Sequence, residues 1–341
     1  MKKLIISLVL ISFFLISCDR IKDEPGLFPE GRGLFILNEG NFLAGNGSVS
    51  FYSPDSAKIY NDLFSATNNR LLGDIPTYLA VRGDRGYIIV NNSGTIEEVD
   101  IHNMHSIKTL TKLSSPRQMA IYNGKGYVSS LSSEYIYIID LEHLSLSDSI
   151  KVNSTTESLI VAGGRLFAAH WAGGSDIVVV DLSDNSVETT IQTGMEPESM
   201  VLDKNGKLWV LCTGGYMNEE IPRIIRINTA TLSVESEMLF RTNTDCPSSL
   251  AINNGGDTLY YIDEGIRRMT ITASSLPSTV LVPANGRLLY KLAAAPWNGA
   301  IYATDAVDYQ QKGNLLVFDK SGNNTDEEQA GIIPGFMYFT E

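Results

Sequence analysis

The sequence predicts an all-β, seven-bladed β-propeller whose C-terminal strand completes the N-terminal blade. Three observations carry this. A short segment recurs: Pro76–Ala80 (PTYLA), Pro116–Ala120 (PRQMA), Thr156–Ile160 (TESLI), Pro197–Val201 (PESMV), Pro247–Ala251 (PSSLA), Leu289–Ala293 (LYKLA) and Pro334–Tyr338 (PGFMY), with starts 40, 40, 41, 50, 42 and 45 residues apart. That spacing is the length of a propeller blade. Each copy but the last precedes a glycine turn and three further β-rich runs, the third of the four usually ending in aspartate, as in Ile96–Asp100, Ile136–Asp140 and Ile177–Asp181. No segment sustains an amphipathic helical period, which excludes TIM-barrel and Rossmann folds for want of helices between strands.

The chain of 341 residues is 43% hydrophobic and 19% charged, an ordinary globular composition. Its first elements are an address and a tether. Lys2 and Lys3 precede an apolar run, Leu4–Ile16, that suits a signal peptide and is short for a bilayer span. Leu15, Ile16, Ser17 and Cys18 then resemble a bacterial lipobox, which implies cleavage after residue 17 and lipid on Cys18. Residues 18–32 hold Pro25, Gly26, Pro29 and Gly31 without periodicity and are expected to be a flexible tether. Lys22, Asp23 and Glu24 resemble the acidic export signal that carries some lipoproteins to the exterior of the outer membrane. The expectation is an outer-membrane protein held by its lipid alone, with the propeller occupying 33–341.

Blade one has three runs, LFILNE, SVSFYS and KIYNDLF, but no inner segment of the recurring type, whereas the chain ends on an unpartnered PGFMY. Supplying one to the other gives seven complete blades and leaves no exposed ring edge. Central runs such as IVVVD are apolar on successive residues, as strands covered on both faces must be.

With strands counted outward from the axis, the turns between the first and second are tight and uniform, as at Asn123-Gly124 and Asn205-Gly206, and read as turn geometry. Loops between the second and third strands differ in every blade and carry large polar and aromatic groups, so function is expected on their face. They supply Asn38, Asn41, Phe42, Asn91, Asn92, His170, Trp171, Tyr216, Asp305 and Tyr309, joined by Tyr78 and Arg117 from the inner segments. Each of these, taken alone, serves equally well as a loop-packing residue; their gathering on one rim is what marks a binding surface.

Formal charge is −13, from 26 basic and 39 acidic residues, with no basic cluster; loss of Lys2 and Lys3 on cleavage takes it to −15. A nucleic-acid partner is thereby excluded. Neither a GxSxG, an HExxH nor a P-loop pattern occurs, and there are four histidines, so no enzymatic activity and no cofactor are expected. Asp305 and Asp308 are candidates for calcium or for plain solvation, and no metal site is assigned. Cys212 and Cys246 fall on the same face of adjoining blades, where an oxidising envelope permits a disulfide, but their separation is not legible in the sequence.

Gly33–Phe42 (GLFILNEGNF), the following SVSFYSPDS, Leu72–Leu79 (LGDIPTYL), Tyr87–Asn92 (YIIVNN) and Ala330–Phe339 (AGIIPGFMYF) resemble the surface-exposed cobalamin-capturing propeller lipoproteins of the BtuG family, within the broader YncE-like and YVTN-type propellers. The resemblance implies a non-enzymatic protein that binds cobalamin or another corrinoid and hands it to a TonB-dependent outer-membrane transporter of BtuB type. A corrinoid is a broad apolar disc rimmed by amides, which suits aromatic area flanked by groups that both donate and accept hydrogen bonds. Two other functions fit the same loops: a propeller that binds protein or glycan at the cell surface, and a metal-dependent propeller lactonase or lyase.

Overall fold

The 40-residue repeat folds into seven four-stranded antiparallel sheets. A computed structural model describes residues 27–29 and 31–340. The expected signal peptide, the lipidation site at Cys18 and most of the 18–32 tether lie outside the described residues.

Six blades run outward in chain order from the inner strands Pro76–Arg82, Pro116–Tyr122, Leu159–Ala162, Pro197–Leu202, Ser248–Ile252 and Leu289–Ala294. Blade one is composite, ordered Pro334–Thr340, Gly33–Asn38, Ser48–Ser53, Lys58–Tyr60. The closing register sets Leu34 opposite Phe339 and Leu37 opposite Phe336, so the last strand seals the ring as the sequence predicts. Every residue of Gly33–Asn38 is buried.

Burial follows position within the blade. In blade four the third strand, Asp176–Asp181, buries four consecutive apolar residues, whereas the outer strand Ser186–Gln192 buries only Ile191. Middle strands are sandwiched between neighbouring blades, so both faces must be apolar. The core is accordingly divided into inter-blade layers; Ile89 of blade two, for example, shares one with Val128 and Ile139 of blade three.

Three local expectations are corrected. The run KIYNDLF is not one strand: Lys58–Tyr60 ends before Asp62, whose left-handed backbone turns the chain into a six-residue helix, Leu63–Asn68, that buries Leu63 and Phe64. Of TESLI only the last two residues join the blade-four inner strand, which runs Leu159–Ala162. Phe28, assigned to the tether, is 6% exposed and packs edge-on to Phe35 at 5.4 Å and against Phe51 at 4.8 Å. Phe28, five residues before Gly33, therefore belongs to the folded body. Phe28 sits near Ile101, His102 and Thr340, on the end of the ring that carries the tight turns, remote from the variable loops.

The inner strands share an irregularity that positions the site. Register slips by a residue or more just after the start of five of them: between Pro76 and Tyr78, Pro116 and Met119, Pro197 and Ser199, Ser248 and Ala251, and Leu289 and Leu292. A bulge bends a strand and re-aims its side chains. Here the second and third residues of the repeat turn toward the axis. Backbone amides of the inner strands are taken up across blades: Leu159 N–H donates to Gln118 Oε1 (3.1 Å), Leu250 N–H to Ser199 Oγ (2.9 Å) and Leu292 N–H to Ser249 Oγ (2.8 Å). A polar third position thus staples one inner strand to the next.

Candidate functional site: an axial funnel with a charged neck

The bulged strands enclose an axial cavity of about 570 Å³ that opens toward the variable loops. Its neck is built from the second and third residues of the repeat. Arg117 makes a two-pronged ion pair with Glu157, Nε to Oε2 at 2.6 Å and Nη2 to Oε1 at 2.7 Å. Lys291 Nζ meets Glu198 Oε1 at 2.9 Å, and Tyr290 donates its hydroxyl to Glu39 Oε1 at 2.9 Å. Tyr78 and Phe336 pack with ring centroids 4.4 Å apart and planes tilted by 45°, and form an apolar wall of the same cavity, with Trp171 lining it from the loop of blade four.

Low local polarity and close charges shift the titrations of this neck. Burial opposes the charge on Glu198, yet Lys291, Ser199 and the Ser249 amide hold its carboxyl below the ordinary range. Burial likewise works against the Lys291 ammonium, and the carboxylates of Glu198, Glu39 and Glu157 outweigh it, raising its pKa. Arg117 is raised in the same way, chiefly by Glu157 acting against burial. Glu39 behaves differently. Burial pushes its carboxyl up, and the Tyr290 hydroxyl, Lys291 and Arg117 only partly offset this.

Of the residues predicted from sequence, Tyr78, Arg117 and Trp171 come together in the neck. Asn41, Phe42, Tyr216 and Tyr309 lie on the rim: Phe42 is 68% and Tyr216 88% exposed, and Asn41 Nδ2 donates to the Tyr309 carbonyl at 3.2 Å. Leu43 and Met217 extend these exposed apolar tips.

Other predicted contacts are committed to the fold. Asn38 is fully buried; its amide donates to Ser50 Oγ (2.9 Å) and Ser48 Oγ (3.1 Å) and accepts from Gly331 N–H (3.0 Å). It is a structural cross-link where a surface contact was expected, because a strand end beneath a loop is covered by the returning chain. Asn91 donates to the Pro116 carbonyl at 3.2 Å, and the Asn92 amide donates to Asp74. His170 folds back over Gly174, with Nδ1 3.7 Å from Asp176. Asp305 is buried, accepting from the Leu288 and Val307 amides and pairing with Arg287 at 3.4 Å, while Asp308 caps Gln310 and Gln311. Both carboxylates are spent on turns. Cys212 is buried and Cys246 exposed, and both are free thiols, so the disulfide that the topology permitted does not form.

The neck residues Glu39, Glu157, Glu198, Tyr290, Lys291 and Phe336 escaped the sequence reading. Except for Glu39, which lies outside the repeat, their signal lay in the repeat itself, whose second and third positions are polar or aromatic between apolar neighbours.

The fold and funnel define a seven-bladed propeller with a loop-bearing face and an axial site. Residues 32–325 match the family described as a domain of unknown function, DUF5074, and the chain belongs to that family. No curated protein sequence matches it. Among solved structures it is similar to a quinonprotein alcohol dehydrogenase-like protein from Bacteroides thetaiotaomicron, with a TM-score of 0.70 and 14% identity over 91% of this chain and 79% of that one. A functionally unknown protein from Desulfotomaculum acetoxidans (TM-score 0.69, 12% identity) and a protein from Lactobacillus plantarum (TM-score 0.68, 14% identity) each align over 91% of this chain and 99% of theirs. At such identities the likeness establishes the fold alone.

Proposed function

We propose that this propeller captures cobalamin or a related corrinoid on its funnel face, without chemistry, and passes it to a TonB-dependent outer-membrane transporter while held to that membrane by lipid on Cys18. One observation carries the reading. Exposed tips from two sectors of the ring, Phe42, Leu43 and Tyr309 from the adjoining blades one and seven and Tyr216 and Met217 from blade five, flank a polar neck. A wide, rigid ligand with an apolar disc and amide edges matches such a rim, and a narrow one would reach only one side of it. A ligand and a surface that are both preformed lose little entropy on binding. The resemblance of GLFILNEGNF and AGIIPGFMYF to corrinoid-capturing propellers supports the same choice.

Isothermal titration with cyanocobalamin tests this: about one site per chain is expected, with the red chromophore co-eluting with the protein. No heat and no co-eluting absorbance would remove the reading and leave a rim suited to protein or glycan.

A further inference from the structure

We propose that the axial neck is itself a binding site for a small organic cation, an ammonium group seated on Glu39 against the aromatic wall of Tyr78 and Phe336. The neck holds three carboxylates, Glu39, Glu157 and Glu198, against two cations, Arg117 and Lys291. Both cations are engaged, Arg117 by Glu157 and Lys291 by Glu198. Glu39 is the carboxylate left over; among the described residues its only side-chain hydrogen bond comes from Tyr290, which leaves Oε2 free. When Glu39 is ionised the surplus is one negative charge in a partly desolvated cavity, which selects against anions.

The fold makes room for this carboxylate deliberately. At the second repeat position other blades place Thr77, Arg117, Glu198 and Tyr290, but the closing strand has Gly335. Glu39 occupies that vacated volume: a Cβ on Gly335 would stand 2.3 Å from Glu39 Oε1. The carboxylate thus reaches the axis from the neighbouring strand, beside Phe336.

The chemistry of the walls chooses the class of cation. A hard metal ion takes about six or more oxygen ligands, and among the described residues no three His, Cys, Asp or Glu side chains are grouped to hold a metal. Aromatic faces beside a single carboxylate instead suit a weakly hydrated organic ammonium, which gains from the ring quadrupoles as well as from the charge. This site is independent of the corrinoid reading, since it needs only the neck and not the rim.

Titrations of the full mature chain with tetramethylammonium, choline and n-butylammonium test it, with 3,3-dimethyl-1-butanol as the uncharged isostere of choline. At least one cation is expected to bind saturably with about one site per chain, the isostere not at all. Glu39→Gln, which preserves the size and the hydrogen bond from Tyr290, is expected to weaken binding about tenfold or more, the scale of one hydrogen bond to a charged group. Tyr78→Leu should weaken it through the wall without altering the charge. Binding by none of the three cations, equal binding of the isostere, or an unchanged affinity in Glu39→Gln would each overturn the proposal, whatever the outcome with cyanocobalamin.

Discussion

Glu39 and Gly335 occupy one another's space at the axis: the carboxylate of the first lies where the side chain of the second would be, 2.3 Å from the ideal Cβ position. Six blades line the channel with their own inner-strand residues. The composite blade lines it with Phe336 of its inner strand and with Glu39, the residue just past its second strand, at the seam where the two chain ends meet.

Gly335→Ala is therefore expected to destabilise the protein by about 1–3 kcal/mol, the usual cost of overpacking a filled site. Its backbone is not in the left-handed region, so the cost is steric alone. Equilibrium urea unfolding measures it. The double variant Gly335→Ala with Glu39→Ala should recover most of the loss, since the conflicting side chain is gone; failure to recover would show that the two residues do not compete for that volume.

Deletion of residues 333–341 should abolish the closed ring. It strips the inner partner from Gly33–Asn38, exposing the backbone of a strand in which Leu34, Ile36 and Leu37 are fully buried. An apolar, unpaired edge pairs with other chains. Size-exclusion chromatography is expected to show aggregates in place of a monomer-sized peak, and a well-behaved truncated monomer would contradict the closure energetics.

The ring was legible in the sequence because its determinants are local: a proline-led inner strand, a glycine turn and a β-branched run, repeated. The rim was partly legible, since Phe42 and Tyr216 are large apolar residues in loops with nothing in sequence to cover them. Asn38 misled because polarity at a strand end has the same appearance whether it meets solvent or, as here, Ser50 and Gly331 in the interior. The neck was hidden for a topological reason. Arg117 and Glu157 are 40 residues apart and Glu198 and Lys291 are 93 apart, so their pairing exists only once the blades are wrapped about a common axis. Repeat position then brings them together, and the glycine that admits Glu39 marks its place only by a missing side chain.

The pH dependence of stability should separate Glu39 from the paired carboxylates. Burial raises its folded-state pKa above the unfolded value near 4.5, so the folded state binds the proton more tightly and Glu39 costs stability as pH rises through and beyond that value. Tyr290, Lys291, Arg117 and Glu157 are the titratable groups acting on it. Glu198 has the opposite sign: its lowered pKa supplies stability near neutrality that is lost as pH falls. Glu39→Gln should thus match the parent below about pH 4.5 and become relatively more stable toward pH 7. Urea midpoints at several pH values measure the difference, and a gap that is constant with pH would contradict it.

The two free thiols should react unequally. Cys212 lies in the core between blades four and five, and burial pushes its thiol up to about 12, whereas Cys246 is exposed. Reaction requires the thiolate and access. Iodoacetamide at mildly alkaline pH is expected to modify Cys246 in the folded protein and Cys212 only after denaturation, as read by peptide mass spectrometry; a disulfide-linked peptide of the two would contradict the unpaired state.

Asp74 should govern the affinity of the rim although it offers no surface to a ligand. Its Oδ2 accepts the Leu43 amide at 2.9 Å and also the Asn92 side chain, tying the Phe42–Leu43 tip of blade one to the loop of blade two. The tip needs that tie, because Leu43 has φ of 65°, a left-handed conformation that is costly for a non-glycine residue. Removing the acceptor leaves the Leu43 amide without its partner and lets the tip relax into ordinary backbone. Asp74→Ala is therefore expected to speed amide hydrogen exchange at residues 41–44 while leaving the inner strands protected. If the exposed tips bind the corrinoid as proposed, the variant should also weaken cyanocobalamin binding by raising the dissociation rate, since a tip that must be ordered on binding gives up part of its contact energy. Unchanged exchange would show that the tip is held by other means, and faster exchange with unchanged affinity would place the corrinoid away from Phe42.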